Sequence, residues 1–458
     1  MNIDELLLSI NDSTFDDVVC QTDIQTEADK AEYQSRGYSI MLTESEFREK
    51  FSGVDPKYVY YSTSMSLSSF YFNTETLAIC PFHLEIFAGG VSGHFKIEDC
   101  YRAFASCEKE VAEGSYRRSL FNLPDRMRLE YFGKLYQKFG RNIPNLYRLF
   151  FETYTESDYG FNGLDKELMS AILDSKTDED REKTAQAVSA LADVVTIYRG
   201  GNTASADYHE AYSWTLDINV ANFFASRRGS HTGYIVEATV KKPDIIDAFL
   251  DDRSEEEIIV DPKNITVVKE IPVHGIDFLK EVLPKVNPIY HEYRDKMYDL
   301  RFAQKSSIHG KEHEARVLIL TQIISYMLDL PIYERKILAD AAIYHDTKRV
   351  NDDADERHGK CSRDYYHRDV VAPNYLVEFL CEYHCLPDER GYAEIQNNKK
   401  LKRNRSLATR LLQVFKDADG LDRIRLGSIR ELDLNQLRLD VSKELTLVAR
   451  MCLEQIKV

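Results

Sequence analysis

The chain has 458 residues, a net charge of −17, 43% hydrophobic residues and 29% charged ones. That length is two or three ordinary domains, and the balance is that of an ordinary globular chain. The acidity argues against a non-specific nucleic-acid binder, because a polyanion is repelled at long range, and no apolar run approaches the ~20 residues of a membrane span.

The first residues, MNIDELLLSINDSTFDD, carry acids where a secretory signal carries lysine or arginine, which predicts a cytoplasmic protein without membrane association. The eight cysteines include no CxxC; the closest pair, Cys381 and Cys385, are four apart. In a chain of this size and compartment they are expected to be free thiols, and with Cys361 they suggest no tetrahedral zinc site.

Residues 1–95 alternate short helical runs with aromatic strand-like pieces, YVYYST (58–63) and FYFNT (70–74), and form an α/β module whose role the sequence leaves open. The glycines of AGGVSGHF (88–95) lack the Lys-Ser/Thr of a phosphate loop and predict a turn. From about 96 to 192 the period becomes helical. LEYFGKLYQKF (129–139), NLYRLFFETY (145–154), LDKELMSAILDS (164–175) and REKTAQAVSALADV (181–194) place apolar groups at i, i+3 and i+4, which predicts core-facing stripes.

From Val194 the signal changes to short strands rich in Val, Ile, Thr and Tyr: VVTIYRG, AYSWTLD, GYIVEATV, EEIIVDP and ITVVKEI. They predict a compact β-sandwich, and the absence of GxGxxG after a first strand excludes a doubly wound dinucleotide fold. Within them stand Arg199 in IYRG, Ser213-Trp214-Thr215, a turn bearing Phe223 and Phe224, and Glu255-Glu256-Glu257 leading into an apolar strand. In that order they resemble the core of the arginine-type mono-ADP-ribosyltransferases, whose signature is Arg, Ser-x-(Ser/Thr) and Glu-x-Glu. The helices of 96–192 then correspond to a lead-in packed on the β core of 193–278.

The resemblance implies NAD as substrate and a macromolecular acceptor, most readily a protein arginine. It implies that Glu257 stabilises the oxocarbenium-like sugar as nicotinamide leaves, and that Glu255 faces the acceptor. The triplet is read as extended, so that Glu255 and Glu257 share one side and Glu256 points away. Arg199 would grip the phosphates or ribose, Gly200 would let the backbone approach the nicotinamide amide, and Ser213 would orient Glu257. Thr215 would support the strand, Phe223 or Phe224 would stack on nicotinamide, and Arg227 or Arg228 would meet the diphosphate.

Beyond 278 the chain reads as helical to its end: a linker over 279–307, then a helix over 308–328 with His309 and His313 one turn apart. His345-Asp346, His358 in an HG-x2-S element, His384, and Asp417 and Asp419 in DADGLD follow. This part resembles the HD-domain metal phosphohydrolases, an all-α fold. The resemblance implies a divalent metal (Mn, Fe, Ni, Zn or Mg), as one or two ions, on His313, His345, Asp346, His358, His384 and Asp419, with Asp417 as the close alternative. His309 and His367 receive no ligand place. The basic run NNKKLKRNRSLATR (397–410) is a solvated face or a patch for RNA or a nucleotide phosphate.

The expected organisation is thus α+β and multidomain: 1–95, a transferase domain over 96–278, and a helical HD domain over 279–458. The pairing of activities implies a toxin-like or antiviral factor, bacterial or phage-encoded, working in the cytoplasm of its own cell or in a host cytosol. The second domain would restrain the first or process a nucleotide.

Overall fold

A computed structural model describes residues 18–40, 42–63, 67–82, 84, 96–157, 166–203, 205, 207–226, 231–250, 255–303, 308–353, 355–427 and 432–456. The expected turn at 88–95, and Arg227 and Arg228, lie outside them. The chain divides into two compact units, Met1–Gln186 and Ala187–Val458. No helix among the described residues is long and apolar enough to cross a membrane.

In the first unit, strands β1 (Val19–Cys20), β2 (Val59–Tyr61), β3 (Ser69–Asn73) and β4 (Ala78–Pro81) form an antiparallel sheet in that order. Helices α1 (Glu27–Ser35) and α2 (Glu44–Lys50) each open on a Thr cap answered three residues on by Asp29 or Glu46. Six helices follow: α3 (Ile97–Ala112), α4 (Arg117–Phe121), α5 (Asp125–Phe139), α6 (Leu146–Thr155), α7 (Lys166–Asp174) and α8 (Asp178–Ala187). Their aromatic stripes are core: Tyr131, Phe132, Tyr147, Phe150, Phe151 and Tyr154 are buried.

The second unit opens on a six-stranded antiparallel sheet. Its strands are β5 (Val194–Gly201), β6 (Ser213–Thr215), β7 (Gly233–Lys241), β8 (Ile245–Phe249), β9 (Glu257–Val260) and β10 (Ile265–Val273), in the order β10-β7-β5-β6-β9-β8. Where a sandwich of two sheets is expected, one hydrogen-bonded sheet stands, its two triplets joined through the single pair Tyr198↔Thr215. Ile197, Val236 and Ala238 of one triplet nevertheless share a core with Trp214, Ile258 and Val260 of the other. Pro272, which cannot donate to a ladder, sits on the edge strand β10.

The segment expected as a phenylalanine-bearing turn is a helix, α9 (Ile218–Ser226). It lies so close to the sheet that a Cβ on Gly200 would fall 1.6 Å from the Ala221 carbonyl oxygen, and one on Gly233 2.3 Å from that of Ala225. Both glycines are therefore required by packing.

The remainder is helical: α10 (Ile276–Asp299), α11 (Lys311–Met327), α12 (Ile332–Tyr344), α13 (His358–Asp369), α14 (Tyr375–Tyr383), α15 (Asp388–Asn397), α16 (Lys399–Arg403), α17 (Arg405–Leu421), α18 (Asp440–Lys443) and α19 (Thr446–Gln455). The stretch expected as a linker is mostly α10, and it is structural. It buries Leu279, Val282, Val286, Ile289, Tyr293 and Met297 at helical spacing, despite Pro284 and Pro288. That stripe belongs to one continuous core with Ile235, Ile271 and Val273 of the sheet and with the helices from α11 onward.

Candidate functional site

Adjacent strands bring Arg199, Ser213 and Glu257 together. Ser213 Oγ donates to Glu257 Oε1 at 2.6 Å, and Arg199 Nη1 donates to the Ser213 carbonyl oxygen at 2.6 Å. The antiparallel register sets this up: Ser213 faces Ile259, and Thr215 faces Glu257 at the start of β9. Glu257 is 6% exposed, while Arg199 and Ser213 are half-buried. Arg199 Nε is buried without a hydrogen-bond partner among the described residues.

Thr215 Oγ1 donates to the Glu255 carbonyl at 2.6 Å, and Leu216 N–H donates to that of Glu256 at 3.1 Å. These bonds hold Glu256 at φ +47°, a left-handed conformation unfavourable for a residue with a Cβ by about 1–2 kcal/mol. The triplet is therefore not extended, and strand alternation does not decide which way Glu255 and Glu256 point. Phe223 and Phe224 meet edge to face, with ring centroids 5.6 Å apart, and both are half-buried. Gly200 lies under α9, where a Cβ would meet the Ala221 carbonyl oxygen.

The second constellation is deeper. His313 stands in the first turn of α11, His345 and Asp346 just past α12, His358 at the head of α13, His384 just past α14, and Asp419 in α17. Gly359 permits the approach of α13 to the end of α14, since a Cβ there would lie 2.7 Å from the Cys381 carbonyl oxygen. His313 Nε2 and His345 Nε2 are 3.2 Å apart, as are His358 Nε2 and His384 Nε2 at 3.1 Å. Asp346 lies between the pairs. Its Oδ1 is 3.1 Å from His358 Nε2 and 3.4 Å from His384 Nε2; its Oδ2 is 3.1 Å from His309 Nδ1 and 3.8 Å from His313 Nε2. Asp419 Oδ1 is 3.3 Å from His313 Nε2.

The outward nitrogens fix the tautomers. His313 Nδ1 faces Asp422 Oδ2 at 2.7 Å, His345 Nδ1 the Ala342 carbonyl at 2.9 Å, His384 Nδ1 the Cys381 carbonyl at 2.8 Å, and His358 Nδ1 the Asp355 carbonyl. Each acceptor calls for the proton on Nδ1, so in the neutral rings the bare Nε2 nitrogens point at one another. Lone pairs ~3 Å apart repel unless a cation stands between them. Asp346 Oδ1, buried and without a hydrogen-bond partner, points into the same space. The donor set therefore fits a divalent metal.

Without a cation the imidazoles differ: burial lowers His313, but the carboxylates of Asp419 and Asp422 outweigh it and hold that ring above its ordinary range. Burial pushes His345 down to about 3, whereas at His358 the contacts with Asp346 and Cys385 outweigh burial and hold it at about 9. Burial opposes ionisation of Asp346 and Asp419, yet the surrounding imidazoles keep both carboxyls well below their usual range. Burial and the Asp346 charge push Glu314 well up.

The alternative Asp417 is engaged elsewhere, accepting from the backbone N–H of Arg438 and Leu439 at 2.9–3.0 Å. His309 precedes α11 rather than lying on it, and belongs to the cluster through Asp346; its four-residue spacing from His313 is the one signal that could have placed it. Cys385 also joins, with His358 and His384, and no spacing marks it. His367 is at the surface, bonded to Glu378. In the basic run, Lys399, Lys400, Lys402, Arg403 and Arg405 are exposed, but Arg410 is bound to both oxygens of Glu334 at 2.7 Å.

No protein-family model, no curated protein and no solved structure matches this chain.

Proposed function

We propose that the chain is an NAD-dependent mono-ADP-ribosyltransferase acting on a macromolecular acceptor, most readily a protein arginine. The observation that carries this is the serine-held glutamate: Ser213 Oγ on Glu257 Oε1 at 2.6 Å, with Arg199 on the same serine's carbonyl. As nicotinamide departs, positive charge develops at the ribose C1′. A carboxylate fixed by Ser213 and bonded to the ribose 2′-OH gains strength as that charge grows, so it favours the transition state over the bound substrate. Arg199, with one donor committed to the serine carbonyl, keeps the rest of its planar fork for phosphate or ribose oxygens.

Glu255 receives the acceptor. Deprotonating a guanidinium beforehand at pH 7 costs roughly 7 kcal/mol or more. Glu255 therefore orients the arginine and takes its proton only after attack on C1′ has begun. Phe223 or Phe224, both half-buried, would stack on nicotinamide.

Incubation with labelled NAD and a cell lysate, followed by mass spectrometry of the modified acceptor, tests the reading. Glu257→Gln should lower labelling at least a hundredfold at unchanged circular dichroism. Undiminished labelling in that variant overturns it; free ADP-ribose without labelled protein makes water the acceptor and the chain an NAD glycohydrolase.

The converging Nε2 atoms favour a second reading, in which the helical region is a metal-dependent phosphohydrolase and the sheet its substrate reader. His313, His345 and Asp419 would hold one ion, His358 and His384 another, with Asp346 between them. A bound divalent cation polarises a phosphoryl oxygen and makes water a nucleophile at neutral pH. The chain's own part is to present bare nitrogens and to hold their tautomers. Replacing His345 and Asp346 with alanine separates the readings: labelling that persists leaves the transferase as principal enzyme, and loss of every activity favours the hydrolase.

A further inference from the structure

Asp346 divides the histidine centre into two donor sets of different chemistry. On the Oδ2 side stand His309 at 3.1 Å and His313 at 3.8 Å, and His313 lies in turn with His345 and Asp419, all nitrogen and oxygen donors. Around Oδ1 stand His358 and His384, and with them the sulfur of Cys385, the three ligand atoms lying within 4.8 Å of one another. We propose that Cys385 is a thiolate ligand of the second site, which makes that site selective for a thiophilic divalent cation of the zinc, cobalt or ferrous class. The inference rests on the reading of this cluster as a metal centre and adds to it an asymmetry in which metal each half prefers.

Three observations carry it. Tetrahedral bonds of about 2.0–2.1 Å to nitrogen and 2.3 Å to sulfur place the ligand atoms about 3.3–3.6 Å apart. The two Nε2 atoms, 3.1 Å apart, are already near that spacing, and the sulfur lies within 4.8 Å of a nitrogen of each ring. Secondly, Gly359 keeps the space: a Cβ there would come 2.9 Å from Cys385 Sγ, so any other residue at 359 would press on the thiol. Thirdly, Asp346 Oδ1, buried and without a hydrogen-bond partner, is directed at the same two imidazoles and supplies a fourth donor. The thiol's contacts to carbonyl oxygens are long, 3.6 Å to Glu356 and 3.9 Å to Glu382, and it also meets His358, itself a ligand of the proposed site.

Sulfur ligands favour zinc, cobalt and iron over magnesium and manganese, whereas an imidazole and carboxylate set accepts either class. A coordinated thiol is deprotonated and its proton passes to solvent, so occupancy of this half falls as pH falls.

Cobalt titration of the full-length protein tests this optically, without reference to turnover. Wild type should take up cobalt with a near-ultraviolet thiolate-to-cobalt charge-transfer band beside the visible ligand-field bands. Cys385→Ser should lose that band, bind one equivalent at least tenfold more weakly, and keep the far-ultraviolet circular dichroism. Ligand-field bands with no charge-transfer band in wild type overturn the thiolate assignment and leave the metal centre standing. No cobalt uptake at all removes both. Should the serine variant fail to fold, alkylation of wild type followed by peptide mapping decides: zinc should slow modification of Cys385 at least tenfold, and an unchanged rate refutes ligation.

Discussion

Asp340 stands on α12 in the electrostatic reach of Tyr293, Tyr344 and Tyr366, and burial pushes its carboxyl up to about 6. Its ordinary value is 3.8, so between about pH 4 and 6 the native state holds a proton that the unfolded chain releases. Stability from this group is therefore present below its unfolded value and is lost as pH rises through the folded one. Asp340→Asn should raise the melting temperature at pH 7.5, by the equivalent of about 1–3 kcal/mol, and leave it unchanged below pH 4. Melts at the two pH values check both halves. Arg199, Ser213 and Glu257 were legible through the resemblance, as an ordered motif on strand-like segments that the register of β5, β6 and β9 brings together, whereas Asp417 and Asp419 were not separable. They stand two residues apart on α17 and so on different flanks, one capping the 438–439 backbone and the other facing His313, and only the packed partner tells them apart.

At the scale of elements, α9 is the informative departure. Its sequence, INVANFFAS, is short and lacks a clear polar face, and seven of its nine residues are buried, so periodicity could not distinguish it from a turn. What makes it a helix is tertiary: Gly200 and Gly233 open the sheet to its backbone, and its polar side chains are held by the C-terminal segment. Asn219 donates to Asp433 Oδ1 at 3.1 Å and accepts the Leu434 N–H at 2.7 Å; Asn222 Oδ1 accepts from Thr446 Oγ1 at 2.7 Å. Asn219→Ala leaves the buried Leu434 N–H without its acceptor and should cost about 1–3 kcal/mol in urea unfolding. A change under 0.5 kcal/mol would mean that water replaces the side chain there. The amphipathic helices α5, α6 and α7 needed no such information, because their apolar spacing alone orients them.

Across Ala187–Val458 the sheet and the helices form one compact unit, since Ile235, Ile271 and Val273 share a core with α10 and with the helices that carry the histidines. That continuity was hidden from the sequence, where a switch from strand to helix period reads as a boundary. It has a measurable consequence. A metal that binds the native histidine centre stabilises whatever unfolds with it, by about 4 kcal/mol when present at a thousand times its dissociation constant. The only tryptophan of the chain, Trp214, is 2% exposed in the sheet core. Its fluorescence therefore reports on the sheet, while ellipticity at helical wavelengths is weighted toward the helices. Added zinc or manganese should raise the tryptophan melting midpoint by roughly 5–15 °C and a chelator should reverse the shift, in step with the ellipticity transition. A tryptophan transition that stays fixed while the helical one moves would mean that the two parts unfold separately and that the shared core does not couple them.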